Sequence, residues 1–300
     1  MKPKAMTNRK PLRSALLALL PLVFAVSVVA PANAQSTDAR RIVAVGGAIT
    51  ETLYALGAQD RIVAIDTTSV FPPQVTEKPN VGYMRALSAE GVLAQSPDLI
   101  LMEAGAGPPQ AIELLKSSGI KIETMPDGHG VAAIAEKLGA IAAAVGKEEA
   151  GRALAAGVED DLARLEEQLS KIEPRKRVLF ILSLVDGRPM AAGSDTAADA
   201  MIALAGGVNV FAGANGYKTV SAEAATELAP DVVVMMTAAG PNHPVVDPFA
   251  IPALKATPAG QNNAIVRMDG AYLLGFGPRT ADAARDLAAR LYPEAIEPAK

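Results

Sequence analysis

The chain has 300 residues, 50% of them hydrophobic, with 4% aromatic residues, no Cys, no Trp and a formal net charge of −4. This composition supports one or two globular domains with substantial cores and excludes a disordered chain. Without Cys there can be no disulfide and no lipid anchor on an N-terminal cysteine.

The opening residues predict a secretory leader. Lys2, Lys4, Arg9, Lys10 and Arg13 form a basic lead-in, an apolar run extends from Ala15 to Ala30, and Ala32 and Ala34 fit an A-x-A cleavage site. The run of roughly 16 residues is short beside the about 20 needed to span a bilayer. Residues 1–34 are therefore expected to be removed near Ala34. They hold five of the 28 Lys and Arg residues and none of the 32 Asp and Glu residues, which leaves 23 against 32, a net of −9. Such a surface does not seek nucleic acid or an anionic membrane. An exported, unanchored chain of this kind is expected in the periplasm of a two-membrane bacterium.

In chain order, residues 41–46 (RIVAVG) predict a strand and residues 50–56 a helix stopped at Gly57. Further strands are predicted at 62–65, 99–102 (LILM) and 120–124. The second half repeats the plan, with strands at 177–182 (RVLFIL), 208–210, 232–236 (VVVMM) and 265–266. A helix at 196–205 is stopped by Gly206-Gly207. Strands alternating with Gly-terminated helices predict α/β units with mainly parallel sheets. Residues 87–102 read LSAEGVLAQSPDLILM and residues 220–235 read VSAEAATELAPDVVVM, a repeat that implies two similar lobes. Between them Leu154, Val158, Leu162, Leu165, Leu169 and Ile172 fall at helical spacing. One amphipathic helix over 148–172, ended by Pro174, is expected to join the lobes. At 1.5 Å per residue it would span roughly 36 Å. The organisation expected is a leader (1–34), an N-terminal lobe (36–146), a linking helix (147–173) and a C-terminal lobe (175–300), with a ligand cleft between two Rossmann-like lobes.

Residues 80–87 (NVGYMRAL) carry the most specific chemistry. Gly82 would allow close approach of a flat ligand. In an extended segment Tyr83 and Arg85 would share a face. A ferric ion and a guanidinium both favour the phenolate, a hard donor suited to Fe(III) and a known axial ligand of haem. The same spacing is met by a half-buried Tyr with its hydroxyl hydrogen-bonded, so spacing alone does not decide. Only two histidines exist. His129 lies in a predicted surface turn, Asp127-Gly128-His129-Gly130, and His243 in a loop, and neither makes a zinc pattern. Met84 and Met190 read as packing residues.

The stretches 42–57 (IVAVGGAITETLYALG), 81–91 (VGYMRALSAEG), 190–201 (MAAGSDTAADAM), 257–260 (TPAG) and 274–280 (LGFGPRT) resemble the periplasmic haem-binding proteins of bacterial haem-uptake ABC transporters. The resemblance covers residues 41 to about 291. It implies that Tyr83 is the axial ligand of the iron of haem b, carried as cargo, and that Arg85 hydrogen-bonds it. It also implies that Glu90 and Glu223 dock arginines of an inner-membrane permease, which works with its ATPase, and that an outer-membrane receptor supplies the haem. A monomer is expected. Glu90 and Glu223 also suit the first turns of helices capped by Ser88 and Ser221, and both roles can hold together. Arg188 could pair a haem propionate or be a solvated loop charge. The chain departs from many relatives in lacking an arginine just after Met235-Met236-Thr237. It also lacks a histidine around residues 183–190, so five-coordinate haem on Tyr83 is expected. The Ser-Ala-Glu and Pro-Asp features are shared with binders of cobalamin and ferric siderophores, which keeps those ligands as the alternative.

An enzyme is not expected. Val45-Gly46-Gly47-Ala48-Ile49-Thr50 is not G-x-G-x-x-G, and neither a P-loop nor a G-x-S-x-G elbow occurs.

Overall fold

The first lobe is built on apolar runs that read as strands buried on both faces. In the computed structural model, which describes Met1, residues 39–237 and residues 246–300, these are β1 (Ile42–Val45), β2 (Ile62–Ile65) and β3 (Leu99–Met102), joined by a partly exposed edge strand, β4 (Lys121–Thr124). The predicted leader beyond Met1, and His243, lie outside the described residues. The four strands form a parallel sheet in the order β2-β1-β3-β4. Every residue of β1 and β3 is buried, as continuous Val, Ile and Leu runs require when helices cover both faces. Four helices cover it: α1 (Gly47–Ala55), α2 (Ala89–Leu93), α3 (Pro109–Ser117) and α4 (Val131–Ala144). Ile49, Leu53 and Ile141 pack on one face, and Val92 and Leu115 on the other.

The long helix α5 (Glu148–Leu169) follows. Glu148 and Glu149 in its first turn complement the helix dipole. It buries Ala155, Val158, Leu162, Leu165 and Leu169 in one core with Ile134 and Leu138 of α4 and residues of the second lobe. The helix ends three residues before the predicted Ile172. The chain tightens there into an i→i−3 bond from Ile172 N to Leu169 O at 3.0 Å, ahead of Glu173, which Pro174 disfavours from helical backbone.

The second lobe carries β5 (Arg177–Val185), β6 (Arg188–Ala192), α6 (Ala197–Leu204), β7 (Val208–Asn209), β8 (Tyr217–Thr219) and α7 (Ala222–Leu228). Then come β9 (Val232–Met236), α8 (Pro252–Lys255), α9 (Pro258–Gln261), β10 (Ile265–Met268), α10 (Gly270–Leu274) and α11 (Thr280–Leu291). The sheet order is β10-β9-β5-β6-β8, with β7 also beside β5. β9 is parallel to β5 and β10, whereas β6 is antiparallel to both β5 and β8. This hairpin was not anticipated. Its two-residue turn is Asp186-Gly187, both at positive φ (50° and 73°), the geometry that Asp-Gly favours between antiparallel strands.

The sequence repeat is also a repeat of contacts. Ser88 Oγ accepts from Gly91 N and Ser221 Oγ from Ala224 N, each at 3.1 Å, so both caps start a short helix. A left-handed residue follows each helix at matching positions of the repeat: Ser96 (φ 47°), past the right-handed end of α2, and Ala229 (φ 39°), directly at the end of α7. Asp98 Oδ1 accepts from Arg41 N at 3.1 Å and Asp231 Oδ2 from Arg177 N at 2.9 Å. The Arg41 side chain donates to the carbonyls of Gln95 and Ser96, and that of Arg177 to those of Leu228 and Ala229. Each arginine thus satisfies carbonyls that a helix end leaves without partners.

Candidate functional site

Tyr83 stands at the edge of the first lobe on a segment that runs beside β2. Ile65 N donates to Pro79 O and Val81 N to Ile65 O, each at 2.9 Å, and Thr67 N donates to Gly82 O at 3.0 Å. These bonds lay residues 79–83 against the loop that follows β2. Gly82 has φ +97°, which an L side chain rarely adopts, so backbone conformation alone accounts for a glycine there. Asn80 Oδ1 accepts from Gly82 N at 2.8 Å and tightens the turn.

Tyr83 itself is extended, but Met84–Ala86 is a 3-10 turn, closed by Ala86 N donating to Tyr83 O at 2.7 Å. At about three residues per turn, Arg85 is rotated well away from Tyr83, and the shared face expected of an extended segment does not form. No hydrogen bond joins the two side chains among the described residues. Arg85 is exposed, and its charge reaches Tyr217 of β8 in the second lobe.

The loop after β2 is built by one carboxylate. Asp66 is fully buried and accepts from Gly46 N (2.9 Å), Thr68 N (3.1 Å), the Thr68 hydroxyl (2.8 Å) and the Ser69 hydroxyl (3.0 Å). The Ser69 and Thr50 hydroxyls are 2.7 Å apart. This network presents Val70 (42% exposed) and Phe71 (38%) beside the segment that carries Tyr83 (47%). Single exposed apolar side chains are common, but three together form the kind of patch that marks an interaction surface. Beneath the loops Lys137 Nζ is 3.1 Å from Glu103 Oε2, both side chains largely buried. Burial pushes the Glu103 carboxyl up from its ordinary value, against the pull of Lys137.

From the second lobe come Tyr217, Tyr272, Phe276 and Arg279, none of them given a role by the sequence reading. Burial pushes the Tyr217 phenol up, against hydrogen bonding from Thr196, the Arg85 charge and the Ala198 backbone. Tyr272 is pushed above the usual tyrosine range by burial and by Asp286, to which its hydroxyl donates at 2.9 Å. His129 is half-buried rather than on a surface turn. Its ring meets Phe276 edge-on with centroids 4.8 Å apart, and burial holds its imidazole below the ordinary value. The lobes approach closely here: a Cβ on Gly277 would lie 3.0 Å from the Cβ of Ala48, tighter than an ordinary packing contact.

Glu90 and Glu223 are both exposed at the second position of α2 and α7. The Glu223 carboxyl is held below the usual carboxylate range by its own backbone N–H and by the Ser221 hydroxyl. Arg188 opens β6 and is exposed. Two cavities lie away from Tyr83. One of about 630 Å³ is bounded by Tyr54, Gln59 and Lys78; one of about 720 Å³ lies against α5 and is bounded by His129, Asp195 and Asp199. Neither is lined by Tyr83 or Arg85. Among the described residues no group of three or more His, Cys, Asp or Glu could hold a metal ion, and no helix is long and apolar enough to cross a membrane.

Two α/β lobes joined by a long helix, with open aromatic residues where they face each other, define a bilobal ligand-binding protein. The model of the periplasmic binding protein family matches residues 42–272, and the chain belongs to that family. Among solved structures, the periplasmic heme-binding protein BhuT in complex with two hemes is 36% identical. The match covers 84% of this chain and 98% of that one, with a TM-score of 0.76. The periplasmic heme-binding protein RhuT from Roseiflexus sp. RS-1, in apo form, is 34% identical over 85% and 99% of the two chains, with a TM-score of 0.78. The vitamin B12-binding protein of Yersinia pestis is 26% identical over 218 residues, 72% of this chain and 76% of its own length.

Proposed function

We propose that the protein binds haem between its lobes, with the Tyr83 phenolate as axial ligand of a five-coordinate ferric iron, and hands it to an inner-membrane ABC permease. The observation that carries this reading is the open Tyr83 ring beside the equally open Val70 and Phe71, on loops fixed by Asp66 and Gly82. A hard oxygen donor suits Fe(III), and the neighbouring apolar surface suits a porphyrin face. The two heme-binding proteins it matches at 34–36% identity favour the same ligand. Arg85 supplies positive charge at the site; Arg188 is a candidate partner for a propionate. Haem b is the form proposed, as cargo.

Glu90 and Glu223 are proposed to meet basic residues of the permease, one contact from each lobe, as a two-fold partner requires. The permease and its ATPase act downstream and an outer-membrane receptor upstream. The chain works as a monomer in the periplasm once residues 1–34 are cleaved. Cobalamin is the second reading, favoured by the vitamin B12-binding relative.

Titration of the mature chain with hemin and with cobalamin separates the two. Hemin is expected to give a saturable Soret band with the charge-transfer features of tyrosinate-bound high-spin ferric haem. Saturable cobalamin uptake without hemin uptake would reverse the assignment. In vesicles holding the permease, Glu90→Ala with Glu223→Ala is expected to lower transport while hemin binding survives; unchanged transport would remove the docking role.

A further inference from the structure

One side-chain assembly joins the lobes beside the proposed ligand face. Arg279, just ahead of α11, donates from Nε to Glu51 Oε2 at 2.8 Å and from Nη2 to Glu51 Oε1 at 2.5 Å, across 228 residues of chain. Glu51 is on α1 and is buried. The planar guanidinium is therefore held by a two-pronged bond to a residue that cannot swing away. Its central carbon lies 3.7 Å from the centroid of the Phe71 ring and 4.8 Å from that of Tyr272. Tyr272 is anchored in turn through Asp286 at 2.9 Å.

Phe71 differs from the other members of this assembly. Arg279 covers one side of its ring, yet the residue remains 38% exposed. Its loop is fixed by Asp66 and joined to the Tyr83 segment through Thr67 N and Gly82 O. An aromatic ring backed by a fixed cation has lost most of its freedom before any ligand arrives, which lowers the ordering cost of stacking on it. Such a ring favours an offset, planar aromatic partner. A porphyrin is planar; a corrin ring is puckered and fringed with amides, and stacks less well.

We propose that Phe71, immobilised on the Arg279–Glu51 pair, is a stacking platform for the ring of a planar macrocycle, and so a determinant of specificity separate from the bond to iron. The proposal rests on the haem reading and adds a claim of its own: the protein recognises the porphyrin ring even without metal. Arg279 acts through Phe71 and is a positioning residue.

The test titrates the mature chain with metal-free protoporphyrin IX, followed by fluorescence, and with hemin, followed by absorbance. Phe71→Leu is expected to weaken both ligands by about three- to tenfold, since aromatic pairing is worth about 0.5–1.5 kcal/mol. Phe71→Tyr, which keeps the ring, is expected to stay within twofold of wild type. Arg279→Lys keeps the charge but loses the planar fork; measured where it is fully folded, it is expected to weaken protoporphyrin IX in the same direction, with little further loss in the Phe71→Leu background. Phe71→Leu binding protoporphyrin IX as wild type does, or Phe71→Tyr losing it as Phe71→Leu does, overturns the platform. Wild type that binds hemin but not protoporphyrin IX overturns the platform alone. Wild type that binds neither overturns the haem reading and the platform together.

Discussion

The two lobes use the same parts at one end and different parts where they face each other. At the shared end each has a serine-capped short helix with an exposed glutamate, a left-handed residue after it, an Asp that accepts from the arginine backbone N–H, and that Arg side chain on carbonyls at and just past the helix end. At the facing end the first lobe presents open Tyr83, Val70 and Phe71. The second presents half-buried Tyr217 and Tyr272, the latter with its hydroxyl engaged by Asp286. A duplicated module thus keeps its contacts at one end and diverges where its halves face each other, as expected if both halves meet one permease at the first end and opposite sides of one ligand at the second.

The comparison can be broken or sharpened by substitution. The largest expected effect is specific to the first lobe. Lys137→Ala would leave Glu103 buried without its ion pair, at a cost of about 3 kcal/mol in denaturant unfolding. A loss below about 1 kcal/mol would mean that water already reaches Glu103. Next come the matched aspartates. Asp98 accepts from both Arg40 N and Arg41 N, while Asp231 accepts from Arg177 N. Asp98→Ala is therefore expected to cost about 2 kcal/mol and Asp231→Ala about 1 kcal/mol; the reverse order would contradict the shared role. The smallest effect is a gain. Ala229 holds a left-handed conformation that glycine adopts freely, so Ala229→Gly should raise stability by about 0.5–1 kcal/mol. Ser96→Gly should raise it less, since a short polar side chain tolerates that geometry better.

Much of this was legible in the chain. The apolar runs of β1, β2, β3 and β9 could be read as buried parallel strands, and the Ser-Ala-Glu repeat announced the doubled module. The hairpin of β5 and β6 escaped because β6 is short, although Asp186-Gly187 is a turn signal in plain view. Helix α4 escaped because VAAIAEKLGAIAAA is apolar nearly all round and shows little periodicity. At the proposed site, Tyr83, Glu90 and Glu223 were singled out by local motifs together with the family resemblance. The Arg85 geometry was not: the bond from Ala86 N to Tyr83 O closes a turn where an extended segment was expected, and Gly107, farther along the chain, braces that turn through Met84 O and Leu87 N. Arg279, Phe71 and Glu51 meet across more than two hundred residues, and no local pattern reports such a meeting.

Absorbance of the hemin complex of Tyr83→Phe, which removes one oxygen and little else, bears most directly on the central claim. If that phenol holds the iron, the substitution abolishes the tyrosinate charge-transfer bands and weakens hemin binding, while the thermal unfolding of the free protein stays the same. A variant whose spectrum and hemin affinity match those of wild type would contradict it.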